Sequence, residues 1–136
     1  MKYISYYVFI IFTFLILLIF SNYEVNKTHT IFGKTASNNE ELRIGLMFRK
    51  NKLKRNEGML FPFISSVWMK NTYIPLDIIF LNNSMKVIDY YKNTIPLSTK
   101  SIRSSKNNAH ILEMNSGSIH KLNININDDI NFIQIN

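Results

Sequence analysis

The chain has 136 residues, no cysteine and a formal net charge of +7 at pH 7. This length is enough for one ordinary domain with its own core, so folding requires neither disulfides nor structural metal. The absence of cysteine excludes thiol nucleophiles, disulfides and Cys-ligated zinc or iron–sulfur sites. The positive charge favours an anionic neighbour, such as a phospholipid surface or an acidic polymer.

The first segment, from Tyr3 to Phe20, is uncharged and almost entirely apolar. Its length is about that of a helix crossing roughly 30 Å of hydrocarbon, so it predicts an N-terminal transmembrane helix with the membrane as partner. No pair of small residues is correctly spaced for cleavage between Leu18 and Tyr23. We therefore expect residues 1–22 to be a membrane anchor or uncleaved signal segment.

The membrane orientation depends on the charges that flank the apolar segment. Lys2 lies on one side, and Lys27 and Lys34 lie on the other, so the comparison is nearly even. An N-terminus inside is the default for a short leader of this kind. The domain is then expected to face the periplasm or the cell exterior.

Residues 23–29 are predicted to be a tether, and residues 30–136 a single mostly-β domain. Strand patterns occur at residues 28–32, 58–63, 76–81, 85–91, 110–114 and 129–135, and a short helical turn at 116–122. Gly33 bounds the first strand, and Pro62 indicates an edge or a bulge in the second. The many short strands predict a mainly β fold, as a compact β-sandwich or a partly closed barrel with one or two short helices.

Two local signals are the clearest. Ser37 and Glu40 have the spacing of a capping box, which predicts a helix to about Phe48 with Gly45 inside it. The Asn82-Asn83-Ser84 sequence between two β-rich runs predicts a hairpin, because Asn tolerates the positive φ angles of tight turns.

The densest group of unusual side chains lies between Trp68 and Asp77. Indole, amine, amide and carboxylate groups close together predict a pocket that stacks a flat or sugar-like ligand and fixes it by hydrogen bonds. The structural alternative is that Trp68 is core, Asn71 and Thr72 brace a turn, and Asp77 caps backbone amides. The ligand-binding candidates are Trp68, Lys70, Asn71, Thr72, Asp77 and Glu113.

Signals for catalysis, metals and cofactors are weak. Glu57, Asp77 and Glu113 are the central candidates for a pair of carboxylates, and nothing in the sequence shows that they meet. The three histidines, His29, His110 and His120, lack the spacing of metal ligands. Phosphate-binding and nucleophile-elbow motifs are absent from the sequence. We therefore expect no metal and no cofactor, and leave enzymatic activity open.

A basic run from Arg49 to Arg55 is the largest concentration of charge. It fits an electrostatic footprint for nucleic acid or for lipid headgroups, but a solvated loop is the favoured interpretation of such a run. Lys and Asn are abundant along the whole chain, which weakens the run as evidence for nucleic acid. Nucleic acid is accordingly not favoured as a partner.

Several motifs together resemble family 192 of the domains of unknown function, over roughly Ile31 to Ile133. They are Gly45-Leu46-Met47-Phe48-Arg49, Glu57-Gly58-Met59-Leu60-Phe61, Trp68-Met69-Lys70-Asn71-Thr72 with Pro75-Leu76-Asp77, Leu112-Glu113 with Gly117, and Leu122-Asn123-Ile124 with Asn127-Asp128. The resemblance implies a compact, mostly β domain of sandwich type, often behind a signal peptide or anchor, and no established activity.

The chain departs from the family pattern at three positions. Val67 stands where the family usually has an aromatic residue. Asn123 and Asn127 stand where it has two glycines, and Asn is the residue after Gly that best tolerates left-handed geometry, so we expect these turns to survive.

The leading hypothesis is a membrane-anchored, non-catalytic binding or accessory module for an envelope ligand or envelope protein. One alternative is an envelope hydrolase with Asp77, Glu57 or Glu113 as acid or base. The other is a structural scaffold, which requires Trp68 and Asp77 to be fully buried without an adjoining pocket.

Overall fold

The computed structural model describes residues 2–21 and 25–135. The helices are α1 (Lys2–Ser21), α2 (Asn39–Ile44) and α3 (Ser118–Leu122). The strands are β1 (Thr28–Thr35), β2 (Glu57–Pro62), β3 (Ser66–Val67), β4 (Leu76–Leu81), β5 (Val87–Tyr91), β6 (Ile102–Arg103), β7 (His110–Asn115) and β8 (Asp129–Gln134). Residue 22 of the predicted anchor and residues 23–24 of the predicted tether lie outside the described residues.

Six strands form one mixed sheet in the order β5-β4-β7-β2-β1-β8, and β3 and β6 form a separate two-stranded ribbon. β1 is parallel to both β2 and β8, whereas β7 is antiparallel to β2 and β4. The prediction of a mainly β fold with short helices is confirmed. The sheet is not closed, because its edge strands meet only at one corner, where Lys86 forms a single bridge with Asp129.

Both faces of this sheet are buried, and each packs against its own layer. One cluster takes residues from all six strands, among them Ile31, Leu112 and Ile130, and Ile119 of α3 packs against it. The other lies beneath α2, the ribbon and the loops, and includes Phe61 and Met69. The layer opposite the large sheet is therefore a small ribbon with loops, rather than the second large sheet of a sandwich.

The helix predicted after Ser37 is present but shorter than expected. The N-cap is Asn38, whose side chain accepts the Glu41 N–H at 2.9 Å, so the capping signal is shifted by one residue. The helix ends at Ile44 because Gly45 adopts φ 50 as its C-cap instead of continuing to Phe48.

The other predicted elements are present with two corrections, whereas β3 and β6 were not predicted from the sequence. The hairpin of β4 and β5 is confirmed, although its positive φ angle falls on Met85. β1 runs through Gly33, where a Cβ would lie 1.7 Å from the Gly58 carbonyl oxygen, so glycine is required for close strand pairing. β2 is a central strand with Pro62 as its last residue, so Pro62 marks a strand end and not an edge.

The N-terminal segment, which was predicted to be a transmembrane helix, forms the helix α1. Its described side chains from Tyr6 onward are mostly exposed, including Phe9 and Ile11 at 66% each. Across residues 2–21 and 25–135, no helix is long and apolar enough to cross a membrane, so the prediction of a transmembrane helix is not supported.

Candidate functional site

Trp68 and Lys70 lie on the surface at a tight turn that precedes β4. Trp68 is 46% exposed, and the Nζ of Lys70 lies 5.2 Å from the centre of its ring. The turn is closed by the Thr72 N–H, which donates to the Met69 carbonyl at 3.0 Å. Met69 is fully buried between the two exposed residues.

Asn71 and Thr72 form the inner part of the same turn. Asn71 adopts φ 54, and Thr72 is buried with its hydroxyl donating to the Lys70 carbonyl at 3.2 Å. Both residues therefore hold the turn in shape, as the structural alternative proposed. Thr72 also lines a cavity beside Trp68.

Two neighbouring loops hold this turn in place through backbone hydrogen bonds. The Phe48 N–H donates to the Asn71 carbonyl at 2.8 Å, and the Leu97 N–H donates to the Thr72 carbonyl at 3.1 Å. Phe48 and Leu97 adopt φ 63 and 64, a region that costs energy for bulky residues and recurs at functional sites. The sequence contains no signal for these conformations, since neither residue type favours them.

Glu113 lies at the centre of β7 and is 5% exposed. It lines the cavity beside Trp68, which has a volume of about 70 Å³. Among the described residues no hydrogen-bond partner is found for its carboxyl group. Burial raises the pKa of Glu113 to about 8, so at neutral pH the group is mostly a neutral acid. The other lining residues are Leu42, Arg43, Ile44, Gly45, Leu46, Met47, Phe61, Val67 and Thr72.

Asp77 does not reach this cavity. In the pairing of β4 with β7, Ile78 lies opposite Glu113 and Asp77 opposite Met114, so Asp77 and Glu113 point to opposite faces of the sheet. Asp77 is 1% exposed. Its carboxylate accepts the N–H groups of Asn93 and Ile119, each at 3.0 Å, and thereby supports the start of α3. This is the capping role of the structural alternative.

Glu57 lies on the same sheet face as Glu113 but belongs to another cavity. This second cavity has a volume of about 380 Å³ and is lined by Glu57, Arg49 and the two acidic residues of α2, Glu40 and Glu41. The Glu57 carboxylate accepts the Lys54 N–H at 2.7 Å. The three candidate acids are thus not brought together in one cleft.

The histidines occupy separate structural positions. His29 lies 2.8 Å from the Asp128 carboxylate through its Nε2, and His110 packs edge-on against the ring of Phe63. Burial lowers the pKa of His110. Within the part of the chain that the structure describes, no group of three His, Cys, Asp or Glu residues is arranged to hold a metal ion.

The fold and the site together define a small mixed β domain with a buried acid beside an exposed tryptophan. The chain belongs to family 192 of the domains of unknown function, as its motifs predicted, since the family model, described as "Uncharacterized ACR", matches residues 22–132. Asn123 and Asn127 adopt φ 52 and 72, which confirms the expected left-handed turns at the positions of the family's glycines.

Two solved structures are similar to this chain. A protein of unknown function from Novosphingobium aromaticivorans is 34% identical, with a TM-score of 0.66, and the match covers 71% of each chain. A proposed transcription regulator from Sinorhizobium meliloti is 32% identical, with a TM-score of 0.67, covering 71% of this chain and 78% of the other. No curated protein matches the sequence significantly.

Proposed function

We propose that the domain is a non-catalytic binding or accessory module whose ligand enters the cavity between Trp68, Thr72 and Glu113. The observation that carries this proposal is the Glu113 carboxyl group, which is 5% exposed, lines the cavity and has no hydrogen-bond partner among the described residues. A buried polar group without a partner costs free energy, so its presence is explained if a ligand supplies the missing hydrogen bond.

The cavity favours a small neutral polar group over a cation. A protonated Glu113 donates one hydrogen bond and accepts another, which matches an amide or a hydroxyl group. Arg43 lines the cavity and Lys70 lies over Trp68, so a cationic ligand would meet like charge. Trp68 offers an apolar ring at the entrance, on which the rest of the ligand can stack.

The alternatives have less support. A hydrolase with paired acids needs two carboxylates on either side of one substrate, and Asp77 and Glu113 face opposite sides of the sheet. A scaffold requires a buried Trp68 without an adjoining pocket, whereas Trp68 is 46% exposed and lines one. Asp77 supports the fold behind the site and is not part of the proposed ligand surface.

Binding can be tested by titrating acetamide and small sugars into the protein while recording NMR spectra of the Trp68 indole N–H and the Thr72 amide. We expect saturable shifts at both groups. The Glu113→Ala variant should lose them, whereas Glu57→Ala, which changes the neighbouring cavity, should keep them. Shifts that persist in Glu113→Ala would contradict the proposed site.

The proposal includes attachment of the domain to a membrane through α1, with the domain facing the periplasm or the cell exterior. The support is the uncharged sequence of residues 3–20 and the exposed apolar side chains of α1, which have no protein core to cover them. In a native host, the full chain should remain in the membrane pellet after alkaline carbonate extraction. A reporter fused after Asn136 that is active only in the cytoplasm would overturn the orientation.

A further inference from the structure

Three of the loops at one end of the main sheet carry exposed basic and apolar residues. β1, β2 and β4 run in the same direction, and β5 runs opposite to β4. The loop of residues 45–56 leads into β2, that of residues 68–75 leads into β4, and that of residues 92–101 leaves β5. All three are therefore at the end where β1 begins. We call them together the loop face.

The loop face carries a strongly one-sided charge. It contains eight basic residues and no Asp or Glu, although the chain has nine acidic residues in total. Its basic residues are Arg49, Lys50, Lys52, Lys54, Arg55, Lys70, Lys92 and Lys100. Such a concentration attracts an anionic surface, and each cation near a charged membrane contributes favourably.

Large apolar side chains are exposed among these cations. Phe48 is 56% exposed, Tyr73 46%, Ile95 70% and Leu97 55%, in addition to Trp68. The hydrogen bonds of Phe48 and Leu97 to the central turn keep both residues in left-handed conformations. Apolar side chains that are held outward at an energetic cost and surrounded by cations match a lipid surface, which is apolar below anionic headgroups.

The same end of the sheet receives the N-terminal connection. β1 begins at Thr28, and Phe32 pairs with Glu57, the first residue of β2, so β1 extends four residues beyond the start of β2. A domain attached through α1 therefore has the loop face on the side from which the connection enters. This step rests on the proposed membrane attachment, whereas the charge and exposure arguments do not.

We propose that the loop face docks on an anionic phospholipid surface, with Phe48, Trp68 and Tyr73 at headgroup level and the basic residues against lipid phosphates. The basic run noted in the sequence then has a partner of defined chemistry. Docking would orient the domain relative to the membrane, which attachment through α1 alone does not.

The single tryptophan makes the proposal directly measurable, because the fluorescence of the chain's one indole reports on Trp68 alone. The full chain is reconstituted into vesicles that contain phospholipids with brominated acyl chains, which quench tryptophan on contact. One set is phosphatidylcholine alone, and the other has one part phosphatidylglycerol to two parts phosphatidylcholine. We expect strong quenching only with phosphatidylglycerol, and its loss at high salt.

Variants separate the loop face from other parts of the chain. Lys50→Glu/Lys52→Glu should weaken docking roughly fivefold or more for each residue. Phe48→Ser should also reduce quenching. The matched control is Phe63→Ser, because Phe63 is likewise exposed and adopts φ 56 but follows β2 at the opposite end of the sheet. The Trp68 fluorescence of this variant should be quenched as strongly as that of the unchanged chain.

Equal quenching in both vesicle sets, or none in either, would overturn the proposal. Absence of quenching together with a Trp68 emission change on adding a single-stranded oligonucleotide would reassign the face to nucleic acid. If the chain fails to sediment with phosphatidylcholine vesicles, the attachment through α1 fails. Quenching by phosphatidylglycerol would still support the loop face in that case.

Discussion

Asp77 and Glu113 are two buried carboxyl groups on adjacent strands, and they differ in the hydrogen bonds that the fold supplies to them. Asp77 is 1% exposed, and each of its oxygens accepts a backbone N–H at 3.0 Å. Glu113 is 5% exposed, lines a cavity, and has no hydrogen-bond partner among the described residues. The hydrogen bonds of the Asp77 carboxylate are thus satisfied by the fold, whereas those of the Glu113 carboxyl group are not.

This difference separates a structural acid from a candidate functional one. The hydrogen bonds of Asp77 offset the cost of its burial and join β4 to the start of α3. Glu113 has no such compensation, so burial raises its pKa to about 8. Groups that destabilise the fold without a structural benefit are expected where function requires them.

The largest expected effect concerns the pH dependence of Glu113→Gln. The folded pKa of Glu113, about 8, lies above its ordinary value of 4.5, so its stability contribution is complete below pH 4.5 and falls as pH rises towards 8. The variant should become more stable than the original chain by on the order of 3 to 5 kcal/mol at pH 9. Urea unfolding from pH 5 to pH 9 measures this, and parallel pH profiles would contradict the assigned burial.

Asp77→Ala should lower the free energy of unfolding by about 3 kcal/mol, because the N–H groups of Asn93 and Ile119 lose their acceptors. Asp77→Asn retains one acceptor oxygen and should lose less. Urea denaturation at pH 7 provides the measurement. If Asp77→Ala weakened ligand binding without loss of stability, the structural role of Asp77 would be incorrect.

Asp128 offers a third buried carboxylate for the comparison. Burial acts to raise its pKa, but hydrogen bonds from the Lys27 N–H, His29 and the Asn125 N–H outweigh burial and hold the pKa below its usual value. Its stabilisation is therefore present above pH 3.8 and is lost as pH falls through the lowered pKa. Asp128→Asn should cost about 1 to 2 kcal/mol at pH 7, and the difference in thermal unfolding should vanish at low pH.

The smallest effect is expected for Lys70→Ala. Its ammonium group lies over Trp68 at an exposed position, where a cation–π contact contributes about 0.5 to 1 kcal/mol. Stability should change by no more than that, while the emission of Trp68 should shift. A loss comparable to that of Asp77→Ala would indicate that the turn depends on Lys70 for its fold.

The limits of sequence reasoning are visible in particular residues. The β4–β5 hairpin, the strand of residues 110–114 and the family motifs were all predictable, because they depend on local pattern. The capping signal predicts the start of α2 but not its end at Ile44. The helix ends there because Gly45 adopts φ 50, and the pattern of apolar residues does not indicate this conformation. Glu113 was a candidate from its type alone, and its separation from Asp77 depends on which residue of β4 lies opposite it.

The sequence by itself determined the absence of thiol chemistry, the apolar N-terminal segment, the mainly β character and the family. These properties follow from composition and from short-range periodicity, which are independent of how distant segments meet. Only the tertiary structure decided that Asp77 and Glu113 face opposite sides of one sheet and that Glu113 and Trp68 line the same cavity. Those relations are set by strand register and by loop contacts between residues far apart in the chain, and a shift of one residue would exchange the two acids between the faces.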